Sequence, residues 1–254
     1  MSKKYSWFIS FFLTFFLGLV FVFVVSAQEA DIPEKNGTYN VPGNPKFKVR
    51  VFVHNPKPEP TSSPVLTCND PDSLAVVPSA GWKLPSSVTY HLNPSSAPSS
   101  VGSNLSTIAA NAFSTWSSAA PGKVSFVQGS DTSVDRKGLD NQNIVAWGRT
   151  SGSALAVTYT WYNTTTKVAV ETDTIFNKKF IWSWTPYSVG ACGISNTYDA
   201  QDILTHELGH WMGLDDTYNS SYANNTMYGY GATGEIKKDT LTSGDIDGVK
   251  AVYP

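Results

Sequence analysis

Charge, histidine and cysteine are all scarce in this chain, and each scarcity narrows what it can be. Only 15% of its 254 residues are charged, 18 basic against 20 acidic, for a formal charge of −2 at pH 7. No long basic run occurs, so the electrostatic footprint of a nucleic-acid binder is missing and nucleic acid is not an expected partner. No internal repeat is present. Hydrophobic residues make up 41%, which can fill a core and speaks against bulk disorder, and the length suits one substantial domain with appendages. Two cysteines (Cys68, Cys192) and four histidines (His54, His91, His206, His210) leave few side chains for thiol or imidazole chemistry.

One long apolar run is present, Trp7 to Val25, preceded by Lys3 and Lys4 and followed by Ser26-Ala27. That order fits a secretory signal peptide cleaved after Ala27, so residues 1–27 are expected to direct the rest out of the cell, as a secreted protein. The run is also nearly long enough to span a bilayer, which leaves an uncleaved anchor with the domain outside as the alternative. Removing residues 1–27 takes away two lysines and no acid, moving the formal charge from −2 to −4. In an exported chain the two cysteines most simply form one disulfide, Cys68 with Cys192.

The most informative stretch is Thr205-His206-Glu207-Leu208-Gly209-His210-Trp211-Met212-Gly213-Leu214-Asp215-Asp216, which reads H-E-x-x-H-x-x-G-x-x-D. If residues 199–214 are helical, His206 and His210 lie one turn apart on one face, where their imidazoles can converge on a metal ion while Glu207 reaches beside it. Gly213 falls where the helix must stop and turn, and Asp216 then returns a carboxylate toward the ion. The bland competitor is a surface helix with two incidental histidines.

Around this motif the chain divides by composition. Residues 28–64 are polar and rich in proline, as an N-terminal extension or linker would be. Within them Phe47 to Val53 alternates apolar and basic residues, which fits either one added edge strand or a sticky linker. Residues 65–254 are expected to form the main domain. Val88 to Leu92 is strand-like, Leu105 to Trp116 has helical spacing, and Lys123 to Gln128 and Asn143 to Trp147 are further strands, an order that implies a parallel sheet. Asp131, Asp135 and Asp140 lie in the intervening loop without the spacing of a calcium loop, so calcium is conceivable but unsupported. Leu155 to Tyr162 and Val168 to Phe176 read as a hairpin whose first strand is a candidate sheet edge able to receive an extended peptide. Asp199 suits a helix cap, and Thr242-x-x-Asp245 opens a closing helix.

Three segments, the helix and turn His206 to Asp216, the turn around Met227 and the closing stretch Leu241 to Tyr253, together resemble the metzincin clan of zinc peptidases and, within it, the matrixins. The likeness extends over about residues 82–254. It implies an α/β (α+β) metzincin-like fold: a twisted, mostly parallel five-stranded sheet with one antiparallel edge strand, two long helices and a C-terminal helix. It implies a monomeric zinc endopeptidase acting on protein or peptide substrates. One catalytic Zn2+ would be held by His206, His210 and Asp216, with Glu207 as general base and Met227 as a floor beneath the metal. An exported binding or adhesion module with a structural metal is the alternative, against which an intact Glu207 speaks.

The chain also departs from the matrixin pattern. Asp216 stands where metzincins usually have a third histidine. His54 and His91 are too few for the second, structural zinc. Gly244 replaces the acid that pairs with the matured amino terminus. Cys68-Asn69-Asp70-Pro71-Asp72 lacks the arginine and glycine of the segment whose cysteine blocks zinc in these enzymes, so a thiolate switch remains behind the disulfide reading.

Overall fold

The sheet is built by side chains that alternate between its two faces. In this computed structural model, residues 32–58, 68–150, 152–186, 188 and 190–254 are described. The expected signal or anchor segment, residues 1–27, lies outside them. The strands are β1 (Gly37–Asn40), β2 (Phe47–Pro56), β3 (Ser87–Leu92), β4 (Ser125–Gln128), β5 (Asn143–Gly148), β6 (Ala156–Asn163) and β7 (Ala169–Asn177). In β3, Val88, Tyr90 and Leu92 are buried between exposed Ser87 and Thr89, the period-two signature of a half-buried strand. Central β5 is buried from Ile144 to Gly148, as a strand covered on both faces must be.

Spatial order is β1-β2-β6-β7-β5-β3-β4. Strands β4, β3, β5 and β7 run parallel, and β6 returns antiparallel to β7 through a short turn. These five reproduce the expected five-stranded unit. One expectation needs correcting: β6 is not an edge. Strand β2 pairs with it antiparallel from Phe47↔Asn163 to His54↔Ala156, and β1 pairs with β2 in turn. Of the two readings open for residues 47–53, the added strand is the one formed. Alternation of Val49 and Val51 with Arg50 and Phe52 places a valine pair in the core on one face of the sheet, which a solvated linker would have left in water.

Helices α1 (Leu105–Ala119) and α2 (Ala200–Trp211) pack on the other face. On α1, Leu105, Ile108, Ala109, Ala112, Phe113 and Trp116 are buried at helical spacing. Trp116 Nε1 donates to the Thr205 carbonyl at 2.6 Å, pinning α1 to α2. Helix α3 (Ser243–Val252) starts with a capping box, in which Thr242 and Asp245 satisfy each other's backbone N–H groups. The expected Asp131 to Asn143 loop is fastened by β7: Glu171 accepts from the backbone N–H groups of Asp140 and Asn141, and Asp173 from those of Gly138 and Ile144.

The chain from Cys68 onward runs across the start of α3. Gly244 N donates to Ser73 O at 2.7 Å, Val77 N donates to Gly244 O at 3.2 Å, and Asp72 accepts from Ser243 N at 2.7 Å. A Cβ on Gly244 would lie 2.1 Å from the Ala75 carbonyl oxygen, so this backbone occupies the space an acidic side chain would need. Cys68 and Cys192 are joined by a disulfide across 124 residues, which fixes this run to the loop preceding α2. Closing a loop of that length restricts the unfolded chain, so the double substitution Cys68→Ser/Cys192→Ser should lower stability by about 3–5 kcal/mol. Urea denaturation under oxidising conditions measures the difference, and an unchanged midpoint would show that the bond contributes nothing.

Candidate metal centre

Helix α2 carries the motif, and its ends decide where the motif points. Asp199 caps it, with Oδ1 accepting from Gln201 N and Asp202 N and Oδ2 from Thr185 N. Every residue from Ala200 to Trp211 is buried, because α1, the sheet and the turn Lys237–Asp239 enclose the helix. The helix ends at Trp211, short of the expected Leu214. Gly213 has φ of 90°, and a Cβ there would meet the Trp82 carbonyl oxygen at 2.2 Å, so the reversal tolerates glycine alone.

That reversal brings Asp216 back over the histidines. Oδ1 of Asp216 lies 3.2 Å from His206 Nε2 and 3.5 Å from His210 Nε2. Each imidazole is oriented by its other nitrogen, His206 Nδ1 on the Thr226 carbonyl at 2.7 Å and His210 Nδ1 on the Leu214 carbonyl at 3.0 Å. A carbonyl can only accept, so both Nδ1 atoms carry the proton and both Nε2 atoms present a lone pair. Neither Nε2 nor Asp216 Oδ1 has a hydrogen-bond partner, although all three are buried.

Orphaned buried acceptors of this kind are costly unless something binds them. Two donors about 2.0–2.1 Å from a tetrahedral zinc would stand about 3.3 Å apart, which is the spacing found here. Burial pulls His206 down to about 4, keeping the ring neutral as a ligand must be. Burial opposes charge on Asp216, but positive charge on the imidazoles when they take a second proton outweighs it and holds the carboxyl well below the usual carboxylate range, a charge that a cation would supply in the proton's place. Tyr218 donates its hydroxyl to Asp216 Oδ2 at 3.1 Å, which leaves Oδ1 as the oxygen turned to the two histidines.

Met227 is fully buried beside α2. A Cβ on Gly209 would lie 2.1 Å from its sulfur, so glycine in the middle of the motif is what lets the thioether sit between the two histidines' turns. Asp245 holds this turn to α3, accepting from Thr226 N at 2.9 Å and Met227 N at 3.2 Å. Sequence spacing placed both segments near the site; their connection through one carboxylate is a tertiary feature.

Glu207 is also fully buried. Its Oε2 accepts from Thr158 Oγ1 of β6 at 2.5 Å and its Oε1 faces His54 Nδ1 of β2 at 3.1 Å, and burial pushes the carboxyl up to about 7. His54, His206 and Glu207 form a second convergent set. The first is the better metal site, because both Glu207 oxygens already have partners. On sequence alone His54 and His91 read alike, as two histidines too few for a structural zinc. The structure separates them: His91 sits on β3 against the Ser130 carbonyl, whereas His54 lies over His206 with ring centroids 3.9 Å apart. Extending the period-two pattern of residues 47–53 by one position would have placed His54 on the face of Phe52, which stacks on His210 at 3.7 Å.

This combination of a parallel sheet, a helix with two converging histidines and a glutamate, and a methionine turn beneath them defines a metallopeptidase of the metzincin type. The matrixin family model matches residues 81–254, and the chain belongs to that family: it is a zinc metalloendopeptidase. No curated protein matches it.

A second buried charge cluster lies behind the site. Lys238 is fully buried, with Nζ donating to the Tyr230 carbonyl at 2.7 Å, and its backbone N–H reaches Asp202 at 2.7 Å. Asp239 is 2% exposed and neither of its carboxyl oxygens has a partner. Burial, with Asp199, Asp202 and Asp70 nearby, pushes Asp239 up to about 10. The folded state therefore keeps a proton that the unfolded chain releases near the ordinary 3.8, so this group's contribution to stability falls as pH rises between those values. Asp239→Asn should stabilise the protein, and more at about pH 8.5 than at about pH 5.5; equal gains in thermal midpoint at both would refute this. Gly209→Ala should destabilise by about 1–3 kcal/mol through the clash with Met227, measurable by the same melts.

Proposed function

We propose that this matrixin is exported and hydrolyses peptide bonds with zinc held by His206 Nε2, His210 Nε2 and Asp216 Oδ1 and with Glu207 as general base. The three unpartnered buried donor atoms, with Asp216 Oδ1 at 3.2 Å from His206 Nε2 and 3.5 Å from His210 Nε2, carry the reading. Bound there, zinc supplies Lewis acidity toward a water and the scissile carbonyl. Two neutral imidazoles and one carboxylate would leave a divalent ion with net positive charge.

The remaining steps fall to the chain itself. Thr158 occupies Glu207 Oε2, so Oε1 is the oxygen that takes the proton of the attacking water and returns it to the leaving amine. A carboxyl raised to about 7 by burial takes a proton more readily than an ordinary glutamate and is still acidic enough to pass it to an amine. Met227 contributes shape, since a buried thioether packed against Gly209 supports the helix turn bearing both histidines. Export rests on the charge and hydrophobicity pattern of residues 1–27, and a disulfide suits an oxidising compartment.

Glu207→Gln should leave one zinc per chain by metal analysis while lowering hydrolysis of unfolded casein by about a hundredfold or more. Asp216→Ala should lose the zinc itself. Equal hydrolysis by wild type and Glu207→Gln would reject the assignment of the base, and full zinc retention by Asp216→Ala would reject the third ligand.

A further inference from the structure

A lysine closes the far end of the pocket that opens beside Glu207. We propose that this pocket recognises a carboxylate, so that the enzyme selects substrates with glutamate immediately after the scissile bond, and that Lys238 sets the preference; the proposal rests on the active-site assignment above.

The pocket is outlined by the contacts of the side chain it receives in this structure, the ring of His54. His54 Nδ1 faces Glu207 Oε1 at 3.1 Å, and Nε2 lies 3.4 Å from Lys238 Nζ. A lysine ammonium can only donate, so Nε2 accepts from Lys238 and the ring proton sits on Nδ1. Between these polar ends the walls are apolar and close. A Cβ on Gly231 would stand 2.8 Å from the Cδ1 atoms of both Ile203 and Leu155, and 3.3 Å from His54 Nε2. The space therefore suits one flat side chain with an anionic tip. Glutamate meets that requirement: its carboxylate oxygens lie as many bonds from Cβ as a histidine Nε2 does, whereas those of aspartate fall short.

The place of the pocket fixes which substrate residue enters it. Glu207 Oε1 is the oxygen that returns a proton to the leaving amine, and the pocket opens at that atom. A side chain seated there belongs to the residue that supplies the amine, the one following the cleaved bond.

The charge at the pocket floor is unmet within the chain. Lys238 is fully buried, yet among the described residues its Nζ forms no ion pair: it has the Tyr230 carbonyl at 2.7 Å and His54 Nε2, two acceptors for three donors. The neighbouring carboxylates are engaged elsewhere. Glu235 pairs with Lys237 Nζ at 3.1 Å and accepts from Ala232 N at 3.0 Å, and Asp202 Oδ1 accepts from the Lys238 backbone N–H at 2.7 Å. Burial, with Glu235, pushes the Asp202 carboxyl well above its ordinary value; on Glu235 burial is outweighed by Lys238 and Lys237, which hold that carboxyl below its own. Two lysines thus face one ionised carboxylate. A buried cation is costly until an opposite charge meets it in good geometry, which a substrate glutamate would do. An apolar side chain in the same pocket would leave Nζ with the Tyr230 carbonyl alone, and a site built around a polar partner discriminates strongly against a ligand that lacks it.

The tests use the full-length, zinc-loaded protein. Unfolded casein is digested and the bonds cut are read by mass spectrometry. Wild type should cut before glutamate about tenfold or more often than before glutamine, counted per available bond, and Lys238→Met should abolish the difference. A second readout needs no hydrolysis: thermal midpoints of His54→Glu and His54→Gln, each with Lys238 intact and in the Lys238→Met background. With Lys238 intact, His54→Glu should melt about 2–4 °C above His54→Gln, and with Lys238→Met it should melt below it. Equal cutting before glutamate and glutamine would overturn the proposal, as would a glutamate preference that survives Lys238→Met or a His54→Glu chain that melts below His54→Gln with Lys238 intact. The expected order of melting without any casein hydrolysis by wild type would support the pocket and count against the hydrolytic assignment instead. Should the variants at residue 54 fail to fold, the cutting ratio of the wild-type chain decides.

Discussion

Two backbone carbonyls, those of Thr226 and Leu214, hold the architecture of the candidate metal centre in place. By taking the Nδ1–H of His206 and His210 they orient both Nε2 lone pairs toward Asp216 Oδ1. Three electron-rich atoms thus face one another in a buried space without donors of their own, an arrangement that is unfavourable until a cation neutralises it. Each carbonyl is positioned by distant structure. Leu214 follows the positive-φ turn at Gly213, and Thr226 hangs from Asp245 of α3. Helix α3 therefore helps aim His206 through the Thr226 backbone.

Close packing explains why the motif's small residues sit where they do. A Cβ on Gly209 or Gly213 would lie 2.1 Å from the Met227 sulfur or 2.2 Å from the Trp82 carbonyl oxygen, so neither position has room for a side chain. Gly244 is filled in the same way by Ala75. The family's acid at that position pairs with an amino terminus; here the chain from Cys68 to Val77 crosses the same spot as continuous backbone and is tied down by the Cys68–Cys192 bond. One function of the substitution is thus visible in packing alone.

The polar neighbourhood is balanced across elements far apart in the sequence. Glu207 is shared between Thr158 of β6 and His54 of β2, and Lys238 links the pocket under His54 to Asp202 on the first turn of α2. Asp239 beside it remains without a partner and is neutral. With only 15% of the residues charged, buried charged groups of this kind stand out.

Much of this was legible in the residues. Histidine spacing, Glu207, Gly213, Asp216, the Asp199 and Thr242 caps and the order of strands β3 to β7 follow from local periodicity and turn chemistry, which act over a few residues and leave their mark on the sequence directly. What only the tertiary structure decided is the fate of residues 37–56 and of His54. A short alternating segment can pair with any exposed edge or with none, and its own residues do not say which. The choice of β6 as partner depends on a groove assembled from β6, α2 and the loop at Tyr230, brought together by folding from positions more than a hundred residues downstream. For the same reason, the sequence alone specified the catalytic helix, while tertiary structure decided that an N-terminal strand lies over it.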